Sequence, residues 1–226
     1  MGIILVKNNK GGVGKTYITL QLAAYKALIK NKKTLILTSD SQNDILKFAG
    51  IKIEDTSKAG LEDFIEGKSY KIKKLRENLF FLHLQGYKIK NSFDEAFKKA
   101  IKLLKDEYDY ILIDCAPSLG LITLNALTAA NSVIVPIQCE YFALEGLGKL
   151  LNTIKSVQKT FNPDLDIEGL LLTMYDARLR LSNQVVEEVQ KHFSDMVFKT
   201  IIQRNVRLSE APSFGETIIN YDATSK

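Results

Sequence analysis

The residues best equipped for chemistry stand together near the start of the chain, in the run Lys10-Gly11-Gly12-Val13-Gly14-Lys15-Thr16. The glycines let the backbone bend so that the N–H groups of Gly11, Gly12, Val13 and Gly14 converge, an arrangement that cradles an anion. A short apolar run, Ile3–Val6, precedes the loop, and a helix is expected to begin at about Lys15. The first N–H groups of that helix, including that of Tyr17, add to the anion site. Lys15 offers a point charge to β- and γ-phosphates, and Thr16 offers a hydroxyl to Mg²⁺. The usual spacing G-x-x-x-x-G-K-[ST] calls for glycine at position 9. This chain has Asn9 there, and the variation brings in a second lysine, Lys10.

Two carboxylates suit such a loop. Asp114 ends the apolar run Tyr110-Ile111-Leu112-Ile113-Asp114, so it falls at the carboxyl end of a buried strand, where it can hold a metal's water shell. Asp40 closely follows the strand-like Thr34–Thr38. It could stand beside the metal and orient the attacking water, or it could be ordinary turn chemistry after a strand.

These groups need a frame, and hydrophobic runs alternate with helical patterns along the chain. Strands are expected at Ile3–Val6, Thr34–Thr38, Leu79–Leu84, Tyr110–Asp114, Ser132–Ile137 and Ile167–Thr173. Residues 16–30 read as a helix with Ile18, Leu22, Tyr25 and Ile29 on one face. Residues 92–105 repeat the pattern with Phe93, Phe97, Ile101 and Leu104, and Ser92 with Glu95 forms a capping box. Further helices are expected at about 143–160 and 181–193. The alternation predicts an α/β fold with a mostly parallel sheet wrapped by helices on both faces. Residues 44–76 break the pattern, and the basic run Lys68–Arg76 reads as a solvated excursion.

Composition narrows the classes. A length of 226 residues, 46% hydrophobic, fits a single domain over 1–226 with a packed core. Only two cysteines occur, Cys115 and Cys139, which argues against a disulfide framework and favours a reducing cytoplasm, and neither lies in a CxxC pair that would suggest a zinc or iron–sulfur site. Residues 115–139 lack charge but carry prolines and asparagines, so a buried helix followed by a buried strand is expected rather than a membrane span. A net charge of +5 leans towards a polyanionic partner, though on charge alone plain solubility is the first explanation.

Four blocks extend the pattern beyond the loop. They are Asn8–Thr16; Asp40-Ser41-Gln42; Tyr108–Ser118; and Arg204-Asn205-Val206-Arg207-Leu208-Ser209-Glu210-Ala211-Pro212-Ser213. With Gln138–Gly146 and Asn183–Val189, they make the chain resemble the ParA/Soj partition proteins of the deviant-Walker ATPases, over almost its whole length. The resemblance implies a P-loop NTPase fold with ATP/ADP and Mg²⁺ as cofactors. It implies a homodimer bridged by ATP, with Lys10 reaching the partner's nucleotide and acting with Lys15 and Asp40 in catalysis. Thr16, Asp40 and Asp114 would serve the metal. Met174 and Gln203 would lie near the adenine. The ATP dimer would bind double-stranded DNA without sequence preference, and a ParB-like activator would stimulate slow hydrolysis. Such a protein works in the cytoplasm on the nucleoid, positioning chromosomes or plasmids.

Non-specific DNA binding needs only cations aimed at phosphates. Arg178, Arg180, Arg204 and Arg207 are the candidates, with Lys199 beside them; each could instead simply solvate the surface, and Arg204 could wall the nucleotide pocket. The chain departs from the family at Thr38, where an aspartate is usual, at Ser41, where proline is usual, and at Tyr17, where Thr or Ser is usual. It also stops at Tyr221–Lys226, where relatives continue into a last helix. The absence of a terminal amphipathic helix disfavours the other reading, a MinD-like positioning ATPase on a membrane or protein assembly. A metal-cluster carrier on the same fold would need cysteines able to bridge subunits, and the positions of Cys115 and Cys139 reject it.

Overall fold

The structure is a computed structural model and describes residues 2–38, 44–50, 72–83, 96–104, 106–118 and 120–225. Its strands are β1 (Gly2–Val6), β2 (Thr34–Thr38), β3 (Lys73–Arg76), β4 (Leu79–His83), β5 (Tyr110–Asp114), β6 (Ser132–Gln138) and β7 (Asp166–Thr173). They form one sheet in the order β3-β4-β2-β5-β1-β6-β7. Every pairing is parallel except that of β3 with β4. The parallel strands are apolar on both sides because both faces of the sheet are covered. Alternation then divides them: Leu35, Leu37, Ile111, Ile113, Val133 and Val135 enter one core, while Ile36, Leu112 and Ile134 enter the other.

The first core is closed by α3 (Ala96–Leu104), α4 (Leu121–Ala129), α5 (Ala143–Thr160) and α6 (Arg180–Phe193), through Leu104, Leu127, Leu150, Ile154 and Val189 among others. The second is closed by α1 (Lys15–Ala24) and α2 (Asp44–Phe48), through Leu20, Ala23, Ala24, Ile45 and Leu46. Two short helices follow near the chain end, α7 (Val206–Glu210) and α8 (Ile218–Tyr221). Among the described residues, no helix is long and apolar enough to cross a membrane.

The structure corrects two expectations. The helix of residues 16–30 stays regular only to Ala24 and then widens into a π-type turn over Tyr25–Ile29, with Lys30 N–H donating to Tyr25 O. The wider turn rotates the last residues off the sheet. Ile18, Leu20, Ala23, Ala24 and Ala27 are buried, whereas Tyr25 and Ile29 of the expected face are exposed. The small alanines let the helix lie close against the strands. The basic run also contains more structure than a solvated excursion: residues 73–76 are the antiparallel edge strand, with Leu75 buried beneath charged neighbours that shield the open edge. Ser92, Phe93 and Glu95 lie outside the described residues, as does the side chain of Phe97.

The carboxyl ends of the parallel strands share one edge of the sheet. Val6 and Thr38 both register with Asp114, and Gln138 registers with Thr173. The chain runs from β1 past β5 to β2 on one side, and β6 and β7 lie on the other, so β1 marks a crevice where strand order reverses. Ligands of open α/β sheets bind at such a point.

Candidate functional site: a phosphate loop at the head of β1

The glycine loop leaves β1 at that crevice. Gly12 and Gly14 adopt φ of 75° and 91°, a left-handed backbone that side chains disfavour. A Cβ on Gly11 or Gly12 would meet nothing within 4 Å, so the concave side of the loop is open. Gly14 caps α1 without a side-chain hydrogen bond, leaving the first helical N–H groups directed at the opening. The loop is braced from two strands. Asn8 Nδ2 donates to Pro136 O at 2.6 Å, and Asn8 Oδ1 accepts from Lys10 N–H at 2.9 Å. Thr173 donates its hydroxyl hydrogen to Val13 O at 3.2 Å.

The two loop lysines stand in different surroundings. Lys15 is buried, and its ammonium donates to Lys10 O at 2.8 Å. The Lys10 side chain is 40% exposed and pairs with Glu140 Oε2 at 2.7 Å, beyond the end of β6. Gln138 Nε2 also donates to Glu140, whose Oε1 accepts. Beside this pair, Tyr141 and Phe142 are exposed and lie edge-to-face.

Asp114 is buried at the end of β5. Thr16 donates its hydroxyl to Asp114 Oδ2 at 3.0 Å, and Thr38 donates to the same oxygen at 3.4 Å. Thr38 therefore stands where an aspartate would have set a second carboxylate against Asp114. Asp40, Ser41 and Gln42 lie outside the described residues.

Tyr17 turns its ring towards Phe48 of α2, with centroids 6.2 Å apart. Its hydroxyl is buried without a hydrogen bond, and burial pushes the phenol up to about 12. Met174 follows β7 with a positive φ of 53°. Tyr175 N–H then donates to Ile202 O and Arg204 N–H donates to Tyr175 O, which sets Met174 and Gln203 on adjoining segments. Met174 is half-buried and Gln203 exposed.

All four candidate arginines are exposed, and so is Lys199. Arg178 grips Asp176 with two hydrogen bonds, at 2.9 and 2.8 Å. These bonds hold the Asp176 carboxyl down at about 2, with a smaller electrostatic contribution from Arg204. Arg178 and Arg204 are thus brought together around one acid. Arg207 pairs with Glu210 at 3.0 Å, and Arg180 stands at the start of α6. Cys115 and Cys139 are both buried and neither is in a disulfide, and burial raises the Cys139 thiol to about 11. Among the described residues, no cluster of three or more His, Cys, Asp or Glu could hold a metal.

Sequence reasoning gave no role to Lys7, Asn8 or Glu140. Asn8 and Glu140 lie inside the quoted blocks, but their partners come from other strands. Lys7 had one signal, a charged residue at the end of an apolar run. It is fully buried, and its ammonium donates to Ala116 O at 2.7 Å and Ser118 O at 2.6 Å. Burial lowers its pKa to about 8, opposed by Cys115 and Asp114 nearby.

The comparisons with known proteins bear on this arrangement. A family described as AAA domain matches residues 1–167. Sporulation initiation inhibitor protein Soj of Bacillus subtilis (strain 168) is 46% identical over 235 residues, covering 99% of this chain and 92% of its own. Chromosome-partitioning ATPase Soj of Treponema pallidum (strain Nichols) is 46% identical over 236 residues, covering 99% and 91%. The chain belongs to the Soj/ParA family of partition ATPases. Among solved structures, this Soj/ParA chain is similar to cobyrinic acid a,c-diamide synthase from Mycobacterium smegmatis with bound ADP and magnesium. The TM-score is 0.79 at 28% identity, over 99% of this chain and 96% of the other. The likeness spans the sheet and its helices, so the Soj/ParA loop of this chain sits on the frame of a nucleotide-binding fold.

Proposed function

We propose that this chain is an ATP-dependent switch that dimerises around its nucleotide, binds DNA as the ATP dimer, and partitions a chromosome or plasmid with a ParB-like activator. The reaction is hydrolysis. A water oxygen attacks the γ-phosphorus, the bond to the ADP oxygen breaks, and ADP and phosphate leave.

The loop N–H groups and Lys15 would bind and orient the phosphates, which is most of what phosphoryl transfer asks of a protein. The Thr16 hydroxyl and the Asp114 carboxylate are hard oxygen donors within 3.0 Å of each other, a pair that fits Mg²⁺ with one direct ligand and one acting through water. When bound, Mg²⁺ neutralises charge on the β- and γ-phosphates. Asp40 would orient the water. Met174 and Gln203 would flank the adenine.

The observation that carries the dimer reading is the contrast between the lysines. Lys15 is buried in its own loop, whereas Lys10 is held at the exposed rim by Glu140 beside the apolar Tyr141 and Phe142. A second copy laid over that rim would cover the aromatics and bring Lys10 to its nucleotide, where a desolvated charge best stabilises the developing phosphate charge. The nucleotide would then be part of the interface, and hydrolysis would loosen it. Arg178, Arg180, Arg204 and Arg207 would supply the phosphate contacts to DNA, so the protein would work on the nucleoid.

The test is retention on DNA with ATP, with ADP, and with ATP for Lys10→Ala. Retention is expected only for the unaltered protein with ATP. It should weaken steeply with salt, by roughly 0.9 of log–log slope for each phosphate contact. Equal retention in all three, or none with ATP, would refute the switch.

A further inference from the structure

Lys7 is a charged side chain at the root of the phosphate loop that the proposed function does not use. It ends the β1 run, where an apolar residue would fill the same buried space at no desolvation cost. Its bonds to the Ala116 and Ser118 carbonyls span the crevice to the segment joining β5 and α4, which begins immediately after Asp114. Pro117 and Ser118 of that segment are exposed, while the Ser118 carbonyl is turned inward onto two donors, Lys7 and the Thr123 hydroxyl of α4 at 2.7 Å. Buried charges gain about as much from such bonds as they lose in hydration, so the arrangement contributes geometry more than net stability. Burial lowers the Lys7 pKa first, and the Lys15 charge adds a smaller push in the same direction.

We propose that Lys7 is a positioning residue for ATP hydrolysis: its ammonium ties the Ala116–Ser118 segment to the root of the phosphate loop, keeping Asp114 and the exposed Pro117–Ser118 stretch in register with the phosphates. It acts through that segment and does not touch substrate. Lys15 and Lys10 serve the phosphates; Lys7 serves the wall beside them. The inference rests on the chain being an ATPase, and the unaltered protein measured alongside separates the two ideas, because an inactive unaltered protein would refute the ATPase reading instead.

Lys7→Met keeps most of the length and volume and removes the side-chain donor, leaving the backbone N–H on Ile134 O in place. ATP affinity should stay within about threefold and the melting temperature close to that of the unaltered protein, while single-turnover hydrolysis slows at least about tenfold. Lys7→Gln keeps an amide donor and should recover part of the rate. Thr123→Val removes the other donor to Ser118 but leaves the tie to β1, and should change the rate less than about twofold. Unchanged hydrolysis in Lys7→Met would overturn the proposal. So would affinity, rate and melting temperature falling together with no recovery in Lys7→Gln, because that pattern belongs to a structural support. Failure of both Lys7 variants to fold would overturn it equally.

Discussion

Gly215 offers the sharpest quantitative test of how this fold is held. It ends the turn Ala211–Phe214 with φ of 67°, and it packs backbone to backbone on Gly50, which follows α2 with φ of 71°. A Cβ added at position 215 would run into Gly50 Cα and lie 2.9 Å from Gly50 N, with no flexible side chain to yield. Arg76 bridges the same junction, its guanidinium 3.5 Å from both Ala49 O and Gly215 O. Gly215→Ala therefore combines two costs. A left-handed alanine costs about 1–2 kcal/mol, and forcing the two segments apart costs about 1–3 kcal/mol more. The sum, about 2–5 kcal/mol, is a large part of the roughly 5–15 kcal/mol that holds a typical domain. For a chain of this size it corresponds to a fall in melting temperature on the order of 10 °C. Urea unfolding followed by circular dichroism measures it. Gly148→Ala is the control: it lies in α5 with nothing within 4 Å of its Cβ, and should stabilise by about 0.5–1 kcal/mol. A Gly215→Ala protein within about 1 kcal/mol of the original would refute the reasoning.

Two other substitutions probe the loop and its helix. Lys15→Ala removes hydrogen bonds to a charged ligand worth about 1.5–3 kcal/mol each, so ATP affinity measured by calorimetry should fall at least about 100-fold; an unchanged affinity would mean that Lys15 does not hold the phosphates. Tyr17→Phe deletes a buried hydroxyl that has no partner, so stability at neutral pH should change by less than about 1 kcal/mol. Burial raises the folded phenol to about 12 from 10.0, so the native state keeps a proton that the unfolded chain releases, and stability falls as pH rises between those values. Unfolding curves at pH 7.5 and 11 should show the Phe variant gaining relative to the original at the higher pH, and parallel behaviour would contradict the burial of Tyr17.

Much of the frame was legible because it is written locally. The apolar runs at Thr34–Thr38 and Tyr110–Asp114 are strands with those bounds, since parallel strands buried on both faces cannot afford polar interruptions. The helix over 143–160 was readable from its period. What escaped depended on neighbours. The edge strand Lys73–Arg76 has charges that suit solvent, and only its pairing with β4 makes it a strand. Tyr25 and Ile29 fit a regular helical face, but the widened turn carried them into water. Lys7 reads as the polar end of a strand until the β5–α4 segment closes over it.

The sequence by itself determined the phosphate loop, because everything the loop needs is contiguous: glycines that permit positive φ, a strand before, a helix after, and Lys15-Thr16 at the junction. Its chemistry follows from backbone freedom and residue type, neither of which needs the rest of the chain. Only the tertiary structure decided what faces the loop. Thr16 meets Asp114 across 98 positions, Asn8 meets Pro136 across 128, and Lys10 meets Glu140 across 130. Those pairings exist because parallel strands bring their carboxyl ends to one edge whatever their distance along the chain, and no local pattern states which ends will be neighbours.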